Sequence, residues 1–338
     1  MKAIRVTNPG RYEDLALVDE PTPELGRRDV LIKVRASSLN FRDTIIAKGS
    51  YPGPLAHHVI PISDGAGDVV AVGPEVTRVK VGDRVTANCV CDWVAGPSIA
   101  EYRANSVGTT IDGMLAEYVR VEERALIILP DDLSYTDAAA LPCAAVSAWS
   151  ALHVAAPLTP GQTVLIQGTG GVSLFGLQIA RMFGARVLAL TSSEDKAQRL
   201  KALGASAVIN YRETPDWEHP ILELTDGKGV DKVIEIGGGG TINHSVACTR
   251  AGGEIGLVGY VTGMEGGLAP IALQIRSVTV KPISIGPRLS FEAILAAMQA
   301  TGTRPVIDSV FGFSKYKEAL LHLESGSHFG KVVIDMGN

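Results

Sequence analysis

Cysteine is scarce in this chain. The 338 residues hold four, Cys89, Cys91, Cys143 and Cys248. Four without a framework spacing exclude a disulfide-stapled fold, and the thiols are expected to stay reduced. Long apolar runs are missing too, and nothing approaches the length that crosses a bilayer. The opening MKAIRVTNPG enters strand-like sequence directly, without the apolar stretch of a signal peptide. The expected location is the cytoplasm. Basic clusters are also absent. Lys plus Arg number 31 against 36 Asp plus Glu, and a net charge of −5 leaves no footprint for nucleic acid. Neither nucleic acid nor membrane is an expected partner. What is present is an ordinary globular balance, 46% apolar and 20% charged, in a length that suits about two domains.

The most informative stretch runs from Thr163 to Leu190, TVLIQGTGGVSLFGLQIARMFGARVLAL. Val164, Leu165 and Ile166 suit a parallel strand covered on both faces. Gly168, Gly170 and Gly171 follow at once. Without side chains, they let the backbone turn tightly and approach a pyrophosphate at the N-terminus of the next helix. Thr169 and Val172 belong to the same turn. A GxGxxG pattern alone is weak, but this one follows a strand, opens a helix and leads to a second strand. The third glycine position holds Ser173, small enough to fit with little loss.

The texture changes along the chain. The first 125 residues carry short β-branched runs, such as Val30–Val34, Asp68–Val72 and Arg84–Thr86, separated by Gly, Pro and Asp turns. Tyr135–Val154 is Ala-rich with helical spacing. Strands are then predicted at Val164–Gln167, Val187–Leu190, Ala207–Ile209, Lys232–Ile236, Glu254–Val258 and Val278–Ile285. Helices are predicted at Ser193–Leu203 and Thr241–Thr249. This alternation implies a doubly wound parallel sheet. A helix at Phe291–Ala300, another at Tyr316–Leu323 and a strand at Lys331–Ile334 close the chain.

Several segments, in order, resemble the medium-chain dehydrogenase/reductase superfamily: ASSLNFRD (36–43), GAGDVVAVGPEVTRVKVGDRV (65–85), DGMLAEYV (112–119), LPCAAVSAWSAL (141–152), GTGGVS (168–173), GVDKVIEIGG (229–238) and HFGKVVI (328–334). The resemblance spans nearly the whole length. It implies an α/β protein with a GroES-like β-rich catalytic domain, residues 1–125 completed by 302–338, and a Rossmann domain over 126–301.

Many members of that family carry catalytic zinc. At the three corresponding ligand positions this chain has Asn40, Ser63 and Cys143. Amide and hydroxyl are poor zinc ligands, and one thiolate cannot hold the ion alone. The structural zinc lobe is reduced to Cys89 and Cys91. No zinc is expected, although His57, His58 and Asp64 lie near Ser63 and form a conceivable substitute set. The first turn after the second Rossmann strand reads Thr191–Ser192–Ser193, without the carboxylate that binds an NAD ribose. Ser192, Ser193 and Lys196 suit a 2′-phosphate, and Tyr211 stands where quinone oxidoreductases frame that phosphate. NADPH is therefore expected over NADH; a ribose bound by Glu194 or Asp195 is the counter-reading.

Asn40 resembles the quinone reductase Asn beside the nicotinamide, where its amide can donate to a developing oxyanion. Tyr51 resembles a substrate-side tyrosine, and Asp43 is expected to fix a helix N-terminus. The expected activity is zinc-independent hydride transfer to a small-molecule acceptor, a quinone or an α,β-unsaturated carbonyl. The rivals are an alcohol dehydrogenase or carbonyl reductase, and a non-catalytic NADPH-binding protein of crystallin type. A homodimer is expected through the strand in Ser277–Ile285.

Overall fold

The computed structural model describes residues 1–7 and 10–337. They form two compact units. The first comprises Met1–Val146, Gly286–Ala296 and the segment from Arg304 onward; the second comprises Ser147–Ile285 and Ala297–Thr303.

In the first unit, β1 (Lys2–Val6) and β2 (Leu15–Asp19) make an antiparallel pair. The centre of the main sheet is β3 (Asp29–Ser38), which leads into the short helix α1 (Phe41–Ala47). β4 (Asp64–Val72), β5 (Arg84–Ala87), β6 (Tyr118–Glu122) and β7 (Leu126–Ile128) extend the sheet. Val30, Ile32 and Val34 point from β3 into a core shared with Val69, Val85, Val119 and Val121. Burying each such side chain contributes roughly 1.5–3 kcal/mol. The first unit runs past residue 125, where the sequence placed its limit. The cause is pairing: Ile127 of β7 lies opposite Thr86 of β5, and α2 (Tyr135–Ala139) packs on β3 and β4. The Ala-rich stretch is also two helices rather than one. α3 (Ala144–Leu152) starts after Pro142, which lacks an N–H and keeps Leu141 out of the helical region.

The second unit alternates β8 (Thr163–Gln167), α4 (Gly171–Met182), β9 (Arg186–Thr191), α5 (Glu194–Ala202), β10 (Ala207–Asn210), α6 (Glu218–Glu223), β11 (Val230–Glu235), α7 (Ile242–Cys248), β12 (Thr249–Leu257), α8 (Pro270–Arg276) and β13 (Thr279–Pro282). The six strands are parallel, in the order β10-β9-β8-β11-β12-β13. The direction of winding reverses between β8 and β11, which makes their carboxyl ends the place where such sheets bind ligands. β13 is shorter than the sequence suggested, because Pro282 cannot donate to a ladder. Close packing of α4 on the sheet depends on Gly176. A Cβ there would meet Ile234 Cδ1 at 2.3 Å.

The chain ends with α9 (Arg288–Thr301), β14 (Ile307–Gly312), α10 (Tyr316–Glu324) and β15 (Lys331–Asp335). β15 pairs antiparallel with β3, Val333 opposite Ser38, and parallel with β14. This return places Lys331 beside the end of β3.

Candidate active site

The glycine turn joins β8 to α4. Gly168 has φ +72°, a left-handed conformation that favours glycine, and its N–H donates to Leu190 O at 2.8 Å. That bond ties the turn to the end of β9. Gly170 caps α4, and Gly171, Val172 and Ser173 form its first turn, whose amides have no partner within the helix. Ser173 is fully buried and its hydroxyl donates to Gln167 O at 2.5 Å, so the serine adds a bond inside the turn.

The tips of β9 and β10 come together beside that turn. Tyr211 N donates to Thr191 O at 3.0 Å, with the Tyr211 residue 40% exposed. Ser193 caps α5, accepting from Lys196 N at 3.4 Å, and both residues are partly exposed, as is Ser192. Glu194 is exposed and bonds Gln198 one turn along its own helix, and Asp195 is exposed. The structure thus gathers Gly168, Thr169, Gly170, Gly171, Val172, Ser192, Ser193, Lys196 and Tyr211 at one end of one sheet.

At the switch point itself lies a pair that the sequence reading missed. Gln167 Nε2, at the end of β8, donates to Glu235 Oε2, at the end of β11, at 2.7 Å. Glu235 is fully buried and accepts four further bonds, from Gly237 N, Gly238 N, Thr241 Oγ1 and Ser245 Oγ. Hydrogen bonds, rather than a cation, satisfy this carboxylate. The signal in the sequence was a glutamate closing an apolar strand just before four glycines.

The second cluster belongs wholly to the first unit. Asn40 caps α1. Its backbone N–H donates to Asp43 Oδ2 at 2.7 Å, so Asp43 does fix the helix start. Asp43 is buried and its Oδ1 has no partner; burial pushes its carboxyl up to about 6 against the opposing charge of Arg42. Lys331 donates from Nζ to Leu39 O at 2.6 Å and to Asn40 Oδ1 at 2.7 Å, and it lies 3.6 Å from Asp64 Oδ2. Asn40 Nδ2 is buried with no partner. Asp64 is fully buried. It accepts from Ser63 Oγ at 2.6 Å, from Cys143 N at 3.2 Å and from Cys89 Sγ at 3.5 Å.

Arg42 sits among the same groups. Burial would lower its pKa, but Cys143, Cys89, Asp43 and Tyr51 together outweigh burial and hold the guanidinium more firmly protonated. Its Nε and Nη2, one edge of the fork, have no hydrogen-bond partner. Cys89 and Cys143 both border Asp64, the first through its thiol and the second through its backbone N–H. The Cys143 pKa is lowered, chiefly by the neighbouring Cys89 thiol and with Arg42 and Lys331 adding to it, against burial and the Asp64 carboxylate, while burial raises that of Cys89. Tyr51 is partly buried against the core. Arg42, Lys331 and Cys89 were not singled out as site residues from sequence; a lysine heading the apolar strand KVVI was the available signal.

His57 and His58 are exposed, with rings 3.9 Å apart, and neither joins the Asp64–Cys143 cluster. Among the described residues no group of three or more His, Cys, Asp or Glu is arranged to hold a metal ion. Among them also, no helix is long and apolar enough to cross a membrane.

Known proteins match both units. The alcohol dehydrogenase GroES-like domain model covers residues 26–131 and the zinc-binding dehydrogenase model covers 171–300. A zinc-type alcohol dehydrogenase-like protein of Schizosaccharomyces pombe is 39% identical over 336 residues, 96% of this chain and 97% of its own. A quinone oxidoreductase of Pseudomonas syringae is 29% identical, with a TM-score of 0.84 and 99% of each chain covered. A mycobacterial protein solved with NADPH is 30% identical, with a TM-score of 0.84 and 99% of each chain covered. The chain is an NAD(P)-dependent oxidoreductase and belongs to the medium-chain dehydrogenase/reductase superfamily, among the zinc-type alcohol dehydrogenase-like proteins.

Proposed function

We propose that this protein is an NADPH-dependent, zinc-independent reductase of quinones or α,β-unsaturated carbonyl compounds. The observation that carries this reading is the cluster around Asn40, at the positions where zinc members of the family have ligands. The donors do not fit a zinc ion. Asn40 Oδ1 is bound to the Lys331 ammonium and Ser63 Oγ to Asp64. Amide and hydroxyl are in any case weak ligands for zinc.

What the cluster offers instead is an N–H. Asn40 Nδ2 is oriented by Lys331 and unpartnered, so it can donate to an oxygen that gains charge as hydride arrives. Tyr51 lines the acceptor side. One neutral donor stabilises less charge than a metal. The reaction therefore suits acceptors whose own conjugation spreads the charge, which quinones and enones do.

The cofactor's residues fit NADPH. The first-turn amides of α4 suit the pyrophosphate. β9 ends at Thr191 rather than at a carboxylate, and Ser192, Ser193, Lys196 and Tyr211 are suited to bind a 2′-phosphate. The nicotinamide supplies the hydride, and the residues above bind and orient. A relative solved with NADPH supports the choice over NADH. A second copy of the chain is the proposed partner, along the β13 edge.

The test is NADPH consumption by chelator-treated protein with a simple benzoquinone. Turnover without metal, and slower turnover with NADH, is expected. Activity that appears only with added zinc, on alcohols or ketones, would replace this reading with an alcohol dehydrogenase. The names of the relatives favour that second reading.

A further inference from the structure

Gln167 ends β8 and Glu235 ends β11, and the parallel register that sets Ile166 beside Ile234 brings the two side chains together. Glu235 and Ser245 are fully buried, and Gln167 is nearly so. The Gln167 amide is engaged at both ends. Its Nε2 donates to Glu235 Oε2 at 2.7 Å and to Ser245 Oγ at 2.9 Å. Its Oε1 accepts from Ile236 N at 3.1 Å and from Gly237 N at 3.3 Å. The amide orientation is thereby fixed, since its nitrogen only donates and its oxygen only accepts. The carboxylate divides its partners in the same way. Oε2 accepts from Gln167 and from the Ser245 hydroxyl, and Oε1 accepts from Gly237 N at 2.7 Å, Gly238 N at 3.0 Å and Thr241 Oγ1 at 2.6 Å. The main chain of Gln167 serves a different element. Its carbonyl accepts from Ser173 Oγ at 2.5 Å, in the first turn of α4. One residue thus holds the glycine turn with its backbone and Glu235 with its side chain. Fully satisfied buried networks of this kind keep their members in one arrangement. Glu235 has no exposed surface to offer a ligand, so it acts on one only through the groups it holds.

We propose that Gln167 and Glu235 are positioning residues for the dinucleotide, a buried relay that holds the glycine turn in the shape that receives the pyrophosphate. The inference rests on the assignment of the pyrophosphate to the first-turn amides of α4. Amides aimed at an anion must keep their direction, and a shift of about 1 Å in the supporting groups loosens such a site. Without the carboxylate, the Gln167 amide loses a charged partner, and the carbonyl that holds Ser173 loses its anchor. The pairing is specific in charge. In Glu235→Gln a donor faces a donor whichever way the new amide turns, because both carboxylate oxygens now accept. Gln167→Glu sets two buried carboxylates against each other, and it removes the donor that Glu235 uses. Exchanging the two side chains restores every bond. The amide at position 235 then donates to the carboxylate at position 167 and still accepts from the loop, while that carboxylate accepts from Ile236 N and Gly237 N.

The experiment titrates full-length proteins with NADPH and with NADH by fluorescence, after circular dichroism has matched each variant to the wild type. Both cofactors carry the pyrophosphate, so the shift is expected with either. Glu235→Gln and Gln167→Glu should each raise the Kd about tenfold, the scale of one hydrogen bond to a charged group. The variant carrying both changes should return close to the wild-type Kd. Ser173→Ala cuts the path at its far end without placing a new polar group inside, and should raise the Kd about fivefold, the scale of a neutral hydrogen bond. It serves as the reading where a single variant does not fold. Wild-type affinity in these single variants would overturn the proposal, and so would an exchange variant as weak as the single ones. Gly170→Asp separates the relay from the pyrophosphate assignment. Asp is a good helix cap, but its charge repels a phosphate at that place. If this variant binds as tightly as the wild type, the pyrophosphate lies elsewhere and the relay falls with the assignment. If it loses binding while the relay variants keep theirs, the assignment stands and the relay alone falls.

Discussion

Lys331 Nζ donates to Asn40 Oδ1 at 2.7 Å, and this bond decides which end of the amide is free. An ammonium only donates, so the oxygen must face it and Nδ2 must point away. A strand from the far end of the sequence thereby orients a side chain at the start of α1. Asn40→Ala should lower kcat with a benzoquinone by about 10²-fold, the scale for removing one oxyanion donor, with the NADPH Kd unchanged. Lys331→Met should lower kcat less, by about tenfold, since the amide remains but is no longer oriented. Steady-state kinetics with NADPH titrations checks both. An unaltered kcat in Lys331→Met would mean that the amide needs no anchor.

The proposed choice of NADPH over NADH is tested at the β9 tip. Ser192→Asp puts a carboxylate where a 2′-phosphate would lie, and repulsion should raise the NADPH Kd at least about tenfold, or about 1.4 kcal/mol. NADH binding should hold or improve, because a carboxylate there can accept from the ribose hydroxyls. Fluorescence titration with each cofactor reads the change. Equal weakening of both would place the phosphate elsewhere.

Asp43 gives stability a pH dependence with a definite sign. Burial raises its folded pKa to about 6 from an ordinary 3.8, so the folded chain binds this proton more tightly than the unfolded chain does. Its effect on folding is therefore least unfavourable below about pH 4. Stability is lost as pH rises from about 4 to about 6, and the loss is complete above that, about 3 kcal/mol in all. Asp43→Asn keeps an oxygen for the Asn40 N–H and removes the titration. Urea unfolding of both proteins at about pH 4 and about pH 7 tests this. The variant should gain on the wild type across that window; a constant difference would mean that Asp43 titrates normally.

Gly176 and Ile234 make a packing pair that a double-mutant cycle can read. Gly176→Ala alone drives a methyl against Ile234 Cδ1, 2.3 Å away, and should cost about 1–3 kcal/mol. Ile234→Val removes that carbon and alone costs about 1 kcal/mol. The combined variant should cost clearly less than the sum. Additive costs in urea denaturation would show that α4 moves aside instead.

Much of the second unit was legible because its signals are local. A glycine turn between an apolar strand and a helix is read from a few consecutive residues, and the tips of β9 and β10 follow by counting along the pattern. Asn40 and Tyr51 were likewise singled out on one short segment. The rest of the first-unit cluster was hidden by distance. Lys331 meets Asn40 only because β15 pairs with β3, and Cys89 and Cys143, far apart in sequence, both reach Asp64 only in the fold. Glu235 was hidden differently: its role depends on the bonds that the loop turns back to make. The boundary at residue 125 missed for a related reason, since no composition shift marks the pairing of β7 with β5.

Glu235 has a consequence for the neighbouring loop. The second unit has two glycine-rich turns at adjacent strand ends, Gly168–Gly171 and Gly237–Gly240, and their compositions are nearly alike. In the later turn the amides are already engaged. Gly237 and Gly238 serve Glu235, Gly239 serves Gly263 O, and Gly240 serves Thr262 Oγ1. An internal carboxylate has taken the role that a phosphate would play there, like a plug fitted in a socket. The earlier turn keeps the helix-start amides of Gly171 and Val172 in hand. Two stretches that look interchangeable on paper thus have opposite electrical appetites, and one buried side chain is enough to settle which of them greets an anion.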